Sequence, residues 1–186
     1  MILPIVAFGS GVLRKECKEI SKDYPDLTQL ISDMYESMYA ASGIGLAAPQ
    51  INKAIRIFII DTTPFSEDEK NDIVPLKQVF INPKILEEKG EEWLFNEGCL
   101  SIPDIREDIS RKSEIKLEFF DEKFKKHSEK FDGLTARVIQ HEYDHLEGVL
   151  FTDRISLLRK RMLKGKLTDI SKGKVEVRYK MRFSKD

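Results

Sequence analysis

The stretch QHEYDHLEG at positions 140–148 contains two of the three histidines of the chain. His141 and His145 are four residues apart, so on a helix they lie one turn apart on the same face and can bind one cation. The surrounding residues 133–147 have helical periodicity, and both histidines fall on the apolar side. Glu142 is rotated by about 100° from His141, which predicts a position beside the metal and not among its ligands.

The rest of the sequence predicts helices and strands in separate groups. An amphipathic helix over 25–41 and a further helix over 153–164 flank a region in which most segments alternate like strands. We predict strands within 55–61, 78–83, 84–98, 106–131 and 174–183, and a surface excursion over Thr62–Lys77. The expected fold is therefore α+β, with mainly antiparallel β-sheets packed around a central metal-binding helix and with one further helix near each end of the chain.

Composition narrows the class of protein. The chain has 186 residues, of which 41% are hydrophobic, and a net charge of −1, so one core is expected and nucleic acid is not required as a substrate. Two cysteines do not make a disulfide framework, and no basic leader or membrane-length apolar run is present in the sequence, so we expect a cytoplasmic protein. We expect no membrane and no DNA partner.

The charge is unevenly distributed along the chain. From Asp153 onward the chain has twelve basic and four acidic residues, a net charge of +8. Such a segment is typical of a docking surface. We expect residues 1–165 to form the catalytic domain and residues 166–186 to form a basic extension packed on it. Two interpretations of this segment are open: a solvated basic face, and a surface that contacts ribosomal RNA.

A third metal ligand has to come from outside the helix. Cys99 follows a glycine in a predicted turn and is the favoured ligand, whereas Cys17 is interpreted as a small core residue. Phe151 occupies the position where one family of zinc peptidases carries a third histidine, and it cannot bind metal. Glu176 remains an alternative ligand, and His127 is expected on a solvated hairpin.

The residues alone leave more than one function open. A metal with three protein ligands keeps a position for water, which favours a hydrolase. A zinc endopeptidase and a metal-stabilised binding module without catalytic activity are the alternatives. An intact Cys99 and the absence of a histidine at position 151 argue against the endopeptidase.

Three short stretches together resemble the peptide deformylase family: GIGLAAPQ at 43–50, EGCLS at 97–101 and QHEYDHLEG at 140–148. The resemblance implies a metal-dependent hydrolase that removes the formyl group from the N-terminal formyl-methionine of new polypeptides and releases formate. It implies formyl-methionyl nascent peptides as substrates. It also implies one divalent metal ion, Fe²⁺ in vivo, with Zn²⁺, Ni²⁺ or Co²⁺ as alternatives in purified protein.

The resemblance also implies roles for particular residues. The implied metal ligands are Cys99, His141 and His145. The implied catalytic groups are Glu142 as general acid and base, and Gln50 and the Leu100 backbone N–H as donors to the oxyanion. The residues expected to contact substrate are Gly43, Ile44 and Gly45. Glu97 and Ser101 are interpreted as supports of the site.

Overall fold

The computed structural model describes residues 1–66 and 74–184, so positions 67–73 of the predicted excursion Thr62–Lys77 lie outside the described residues. In this part of the chain the strands are β1 (Ile5–Val6), β2 (Gly45–Ala47), β3 (Ile57–Asp61), β4 (Lys77–Cys99), β5 (Ile102–Phe120), β6 (Lys126–Asp132) and β7 (Met181–Arg182). The helices are α1 (Leu27–Ala40), the four-residue α2 (Thr63–Ser66), α3 (Gly133–Leu146) and α4 (Leu157–Ser171).

Strands β2 to β6 form one antiparallel sheet in which the spatial order follows the order along the chain. Strands β1 and β7 form a separate parallel pair. One apolar cluster lies between α1 and this sheet, a second lies between α3 and the sheet, and a third includes residues of α4. The predicted α+β class, with antiparallel strands around a central helix, is confirmed.

The long hairpin of β4 and β5 differs from the separate short strands that the sequence predicts. The predicted strand over 78–83 stops at Pro83, yet β4 continues through Pro83 and also through Gly90. The pairing register shifts between Ile81 and Lys84 and again between Lys89 and Glu92, so each residue lies at a β-bulge. A bulge removes the requirement for a ladder hydrogen bond, which is why proline and glycine are tolerated there.

Helix α3 is more deeply buried than a helix with one apolar face. Most of its side chains are inaccessible, including polar ones such as Arg137, Gln140 and Asp144. The helix packs against β2, β3, β5 and β6, so protein surrounds it on several sides. The prediction of a single buried stripe was therefore too narrow, and polar residues outside that stripe need partners inside the protein.

The C-terminal part begins with α4, which starts later and ends later than the predicted helix over 153–164. The following segment alternates between partly buried and exposed side chains, as predicted, but only Met181–Arg182 is paired as a strand. This pairing joins the end of the described chain to β1. Among residues 1–66 and 74–184, no helix has the length and apolar character to cross a membrane.

Candidate metal centre and active site

Three potential metal ligands converge where β4 ends against α3. Cys99 is the last residue of β4, and its Sγ lies 3.3 Å from Nε2 of His145. The ligand atoms of Cys99, His141 and His145 all lie within 4.8 Å of one another. A thiolate and two imidazoles at this spacing form a donor set suited to a transition metal.

Glu97 orients one of the imidazoles. Its Oε2 lies 2.9 Å from Nδ1 of His141, which leaves Nε2 of that ring available to a cation. Burial would raise the pKa of Glu97, but hydrogen bonds from His141 and Arg111 outweigh it and hold the pKa well below its ordinary value. Glu97 is therefore a carboxylate at neutral pH. The site has the support that a metal-binding histidine usually has, so the residues present fit a bound metal.

The two histidines have opposite protonation tendencies in the metal-free protein. Burial lowers the pKa of His141, but hydrogen bonds to Cys99 and Glu97 outweigh it and hold the pKa well above its ordinary value. Burial lowers the pKa of His145 well below its ordinary value, and the neighbouring His141 contributes in the same direction. A bound metal needs both imidazoles neutral, so metal binding releases a proton from His141.

A buried charge network extends from Glu97 away from the ligands. Arg111 donates to Glu97 Oε1 at 2.7 Å and to Asp144 Oδ2 at 2.7 Å, and Arg137 donates to Glu97 Oε1 at 3.0 Å. Asp144 also accepts two hydrogen bonds from Arg154. The alternating cationic and anionic groups neutralise one another and satisfy most of the buried polar atoms.

This network was not predicted from the sequence, although the local sequence indicates burial of two of its members. Arg111 alternates with Ile105, Glu107 and Ile109, so period-two spacing places it on the buried face of β5. Arg137 precedes His141 by four residues and therefore shares its helical face. Neither signal identifies the partner, because the partners belong to distant parts of the chain.

Glu142 lies beside the three ligands and is not one of them. The side chain is buried, and among the described residues its Oε2 has no hydrogen-bond partner. Burial raises the pKa of Glu142 to about 7, and the positive charge on His141 opposes that shift. A carboxylate with an unused buried oxygen next to a metal site is positioned to exchange a proton with water or substrate.

Gly45 makes the position of Glu142 possible. A Cβ at residue 45 would lie 2.4 Å from Oε1 of Glu142 and 2.8 Å from its Cγ and Cδ. No side chain larger than hydrogen can stand there without moving the carboxylate. Gly45 is one of the residues expected to contact substrate, and the group that lies against its α-carbon is Glu142 of the same chain.

Gln50 connects the stretch GIGLAAPQ at 43–50 to Cys99. Its Oε1 accepts a hydrogen bond from the Ala47 N–H at 2.9 Å, which fixes the orientation of the amide. Its Nε2 then faces Cys99 Sγ at 3.4 Å and Ser101 Oγ at 3.3 Å. Leu100 lies between these two residues in the turn that joins β4 to β5. The Gln50 amide therefore points to the turn that carries the thiol.

The remaining predicted contact residues lie at one edge of the sheet. Gly45 begins β2, which is the edge strand and pairs only with β3 within the described sheet. Ile44 is partly buried and packs against the cluster between α3 and the sheet. A Cβ at Gly43 would lie 2.8 Å from the Leu100 side chain, so this glycine allows close packing against the β4–β5 turn.

The second cysteine, the third histidine and the alternative ligand Glu176 lie outside the site. Cys17 is buried in the core, as predicted, and burial raises the pKa of its thiol to about 11. His127 was expected on a solvated hairpin but is only 24% exposed, because it stacks on Phe119 and binds Asp121. Glu176 is exposed in the C-terminal segment and does not belong to the group that can hold a metal.

Comparison with known proteins gives concordant matches in sequence and in structure. Residues 2–161 match the family model described as polypeptide deformylase. A peptide deformylase of Christiangramia forsetii is 57% identical, with 98% of this chain and 96% of that protein covered. One of Flavobacterium johnsoniae is also 57% identical, with 99% and 97% covered. The crystal structure of a peptide deformylase from Legionella pneumophila superposes with a TM-score of 0.80 at 34% identity, covering 94% of this chain and 98% of that one.

Proposed function

The chain belongs to the polypeptide deformylase family, and from this premise we propose how its residues carry out the reaction of that family. The protein is a metal-dependent hydrolase that removes the formyl group from the N-terminal formyl-methionine of newly made polypeptides. Water adds to the formyl carbon, the carbon–nitrogen bond breaks, and formate and a free α-amine leave. The convergence of Cys99, His141 and His145 beside the buried Glu142 is the observation that supports the assignment of roles.

Cys99, His141 and His145 are the residues that would hold the metal. When bound, a divalent cation supplies Lewis acidity that makes water a nucleophile near neutral pH. We propose Fe²⁺ as the metal in vivo, with Zn²⁺, Ni²⁺ or Co²⁺ as substitutes in purified protein, because one thiolate and two imidazoles suit all four ions. Glu97 keeps the His141 ring in the orientation that presents Nε2 to the ion.

Glu142 is the proposed general base and general acid. A pKa of about 7 lets its carboxylate accept the proton of the attacking water and later return a proton to the departing amine at neutral pH. The unpartnered Oε2 is free to make these contacts. Packing against Gly45 limits the motion of the Glu142 side chain, so the carboxylate that exchanges the proton has a fixed position.

Gln50 and Leu100 are the proposed donors to the oxyanion that forms when water adds to the formyl carbon. The Gln50 amide is already oriented by the Ala47 N–H, so little reorganisation is needed during the reaction. The backbone N–H of Leu100 follows Cys99 directly in the turn between β4 and β5. Loss of one such donor typically costs about 3–4 kcal/mol of barrier.

The free edge of β2 is the proposed site for the substrate backbone. An extended peptide can add to such an edge through main-chain hydrogen bonds, and Gly43 and Gly45 are proposed to contact it through their backbone. Ile44 is proposed to contact the methionine side chain, since it is partly exposed next to an apolar cluster.

The basic C-terminal part is the proposed contact with the ribosome. Arg161, Lys164 and Lys166 are exposed on α4, which supports an electrostatic contact with RNA phosphates. Exchange of these three residues for glutamate should abolish salt-sensitive co-sedimentation with ribosomes, and unchanged co-sedimentation would contradict the proposal. Nascent formylated chains are made where ribosomes work, so we also propose a cytoplasmic location.

We propose that residues 1–165 carry the catalytic domain and that residues 166–186 form a basic extension packed on it. Helix α4 runs across this boundary, and Ile170 in the extension is buried in the cluster beneath the helix. Val175 and Phe183 pack against the same cluster. Limited proteolysis should leave the two parts associated under native conditions.

The decisive experiment compares two hydrolytic activities in three proteins. Wild type, Glu142→Gln and Glu147→Gln would be assayed for formate release from a formyl-methionyl peptide and for cleavage of an internally quenched peptide. Glu147 follows the last residue of α3 and pairs with Arg56, so it is a matched glutamate control outside the site. We expect only Glu142→Gln to lose formate release while its metal content is retained. Cleavage of the quenched peptide, or full activity of Glu142→Gln, would contradict the assignment.

A further inference from the structure

The turn that carries Leu100 is held by a residue from the far end of the chain. The hydroxyl of Tyr179 donates a hydrogen bond to the backbone carbonyl of Leu100 at 2.7 Å. Leu100 and Ser101 are the two residues between Cys99 and Ile102, which pair with each other across the hairpin. The carbonyl that Tyr179 binds therefore belongs to the central peptide of a two-residue turn.

The backbone conformation of this turn indicates that the turn depends on contacts from other segments. Neither Leu100 nor Ser101 is among the described residues that have a positive φ. Two-residue hairpins usually use turns that need a positive φ, so this turn lacks the preferred geometry. The central carbonyl of a hairpin turn ordinarily faces water, and here a partly buried phenol binds it instead. The turn is thus fixed by external contacts and not by its own sequence.

Two other segments bind the same turn from different directions. The Phe8 N–H donates to the Ser101 carbonyl at 2.8 Å, and the Gln50 amide donates to the Ser101 hydroxyl at 3.3 Å. Both contacts act on Ser101. Among the described residues, Tyr179 is the side chain that binds the Leu100 carbonyl. It restrains the Leu100–Ser101 peptide, which meets at the Leu100 Cα the peptide that carries the Leu100 N–H.

The surrounding backbone holds Tyr179 in place. The Ile5 N–H binds the Lys180 carbonyl at 2.9 Å and the Ala7 N–H binds the Arg182 carbonyl at 2.9 Å, so the segment just after Tyr179 is tied to β1. The phenol ring also packs with Leu100 against the core cluster beneath α1. Burial raises the pKa of Tyr179 to about 12, which keeps its hydroxyl protonated and able to donate.

We propose that Tyr179 is a positioning residue for deformylation, which aligns the Leu100 N–H with the developing oxyanion through the Leu100 carbonyl. This inference rests on the proposed role of Leu100 as an oxyanion donor. It assigns a catalytic purpose to the C-terminal segment, separate from any contact with the ribosome. The segment contributes to the transition state without touching the substrate.

The test compares Tyr179→Phe with Tyr24→Phe in the full-length, metal-loaded protein. Tyr24 is a partly buried tyrosine that packs against the same core cluster, so its variant controls for loss of a phenol hydroxyl. We expect Tyr179→Phe to lower kcat per bound metal by about tenfold, as loss of one hydrogen bond allows, with KM changed less than about twofold. Tyr24→Phe should match wild type in both parameters.

Hydrogen–deuterium exchange supplies a second readout that does not depend on activity. Amides in residues 99–102 should exchange faster in Tyr179→Phe than in wild type, while thermal unfolding stays cooperative. A kcat equal to that of Tyr24→Phe, or a rise in KM alone, would overturn the proposal. Unchanged exchange in residues 99–102 would overturn it as well. The Glu142→Gln variant distinguishes failure of the proposed function from failure of the Tyr179 proposal. A fully active Glu142→Gln contradicts the proposed function itself, whatever Tyr179→Phe shows.

Discussion

Replacing Gly45 with alanine should slow catalysis while the protein stays folded. The added Cβ would lie 2.4 Å from Oε1 of Glu142, a separation that real Cβ atoms essentially never show. The backbone of Gly45 is outside the left-handed region, so alanine meets no backbone strain and the whole effect comes from the collision. Glu142 is buried, so its carboxylate has to leave its present position in a confined space.

The size of the effect follows from the displacement. Ordinary contact begins at about 3.4 Å, so the carboxylate oxygen must move by about 1 Å. A misplacement of about 1 Å can cost on the order of 10²-fold in rate, which corresponds to about 3 kcal/mol of activation free energy. Crowding a packed interior costs about 1–3 kcal/mol of stability. Alanine keeps the backbone N–H and C=O of residue 45, so KM should change much less than kcat.

Steady-state formate release on Gly45→Ala gives kcat and KM, and Gly165→Ala is the matched control. A Cβ at Gly165 meets no atom within 4 Å, and this glycine lies within α4, so alanine there should leave activity intact and raise Tm slightly. In a Glu142→Gln background, Gly45→Ala should add little further loss, because both changes act on one group. A folded Gly45→Ala protein with kcat within about twofold of wild type would refute the reasoning.

Further predictions concern the buried charges and the thiols. Arg111→Ala leaves two buried carboxylates short of a partner and should lower the free energy of unfolding by about 3–5 kcal/mol, whereas the exposed Lys112→Ala should change it by less than about 0.5 kcal/mol. Denaturant titration measures both, and equal effects would contradict the network. Glu97→Gln should weaken metal retention about 10–100-fold in a competition with a chelator, and wild-type retention would contradict its orienting role. Iodoacetamide at pH 8 should modify Cys99 only after metal is removed. Iodoacetamide should not modify Cys17 in the folded protein, because a pKa of about 11 keeps this thiol protonated at pH 8. Mass spectrometry of the digested protein measures which cysteine is modified, and modification of Cys17 in place of Cys99 would contradict the prediction.

The metal-binding helix was predictable because its signal is local. Four-residue spacing on a helix fixes the relative position of His141 and His145 without reference to the rest of the chain. Cys99 was favoured by its neighbours and by elimination, since its approach to α3 depends on how the sheet packs. The orientation of Glu142 also follows from helical geometry, whereas its close contact with Gly45 depends on how β2 packs against α3.

The parts that sequence did not predict depend on long-range packing. Pro83 and Gly90 are ordinary strand breakers, and only the bulged pairing with β5 shows how β4 passes through them. Arg111 alternates with apolar residues, which indicates burial but not that Asp144 and Glu97 receive its charge. Tyr179 lies 79 positions from Leu100, and nothing in its local sequence indicates that contact.

The number of metal ions bound per chain shows whether Cys99 completes the site with the two histidines. Wild type, Cys99→Ala and Cys17→Ala would be purified without oxygen, and the bound transition metal per chain would be measured by elemental analysis. The account predicts one metal ion per chain in wild type and in Cys17→Ala, and a large loss in Cys99→Ala. Full retention of metal by Cys99→Ala would show that a different group completes the site with the two histidines.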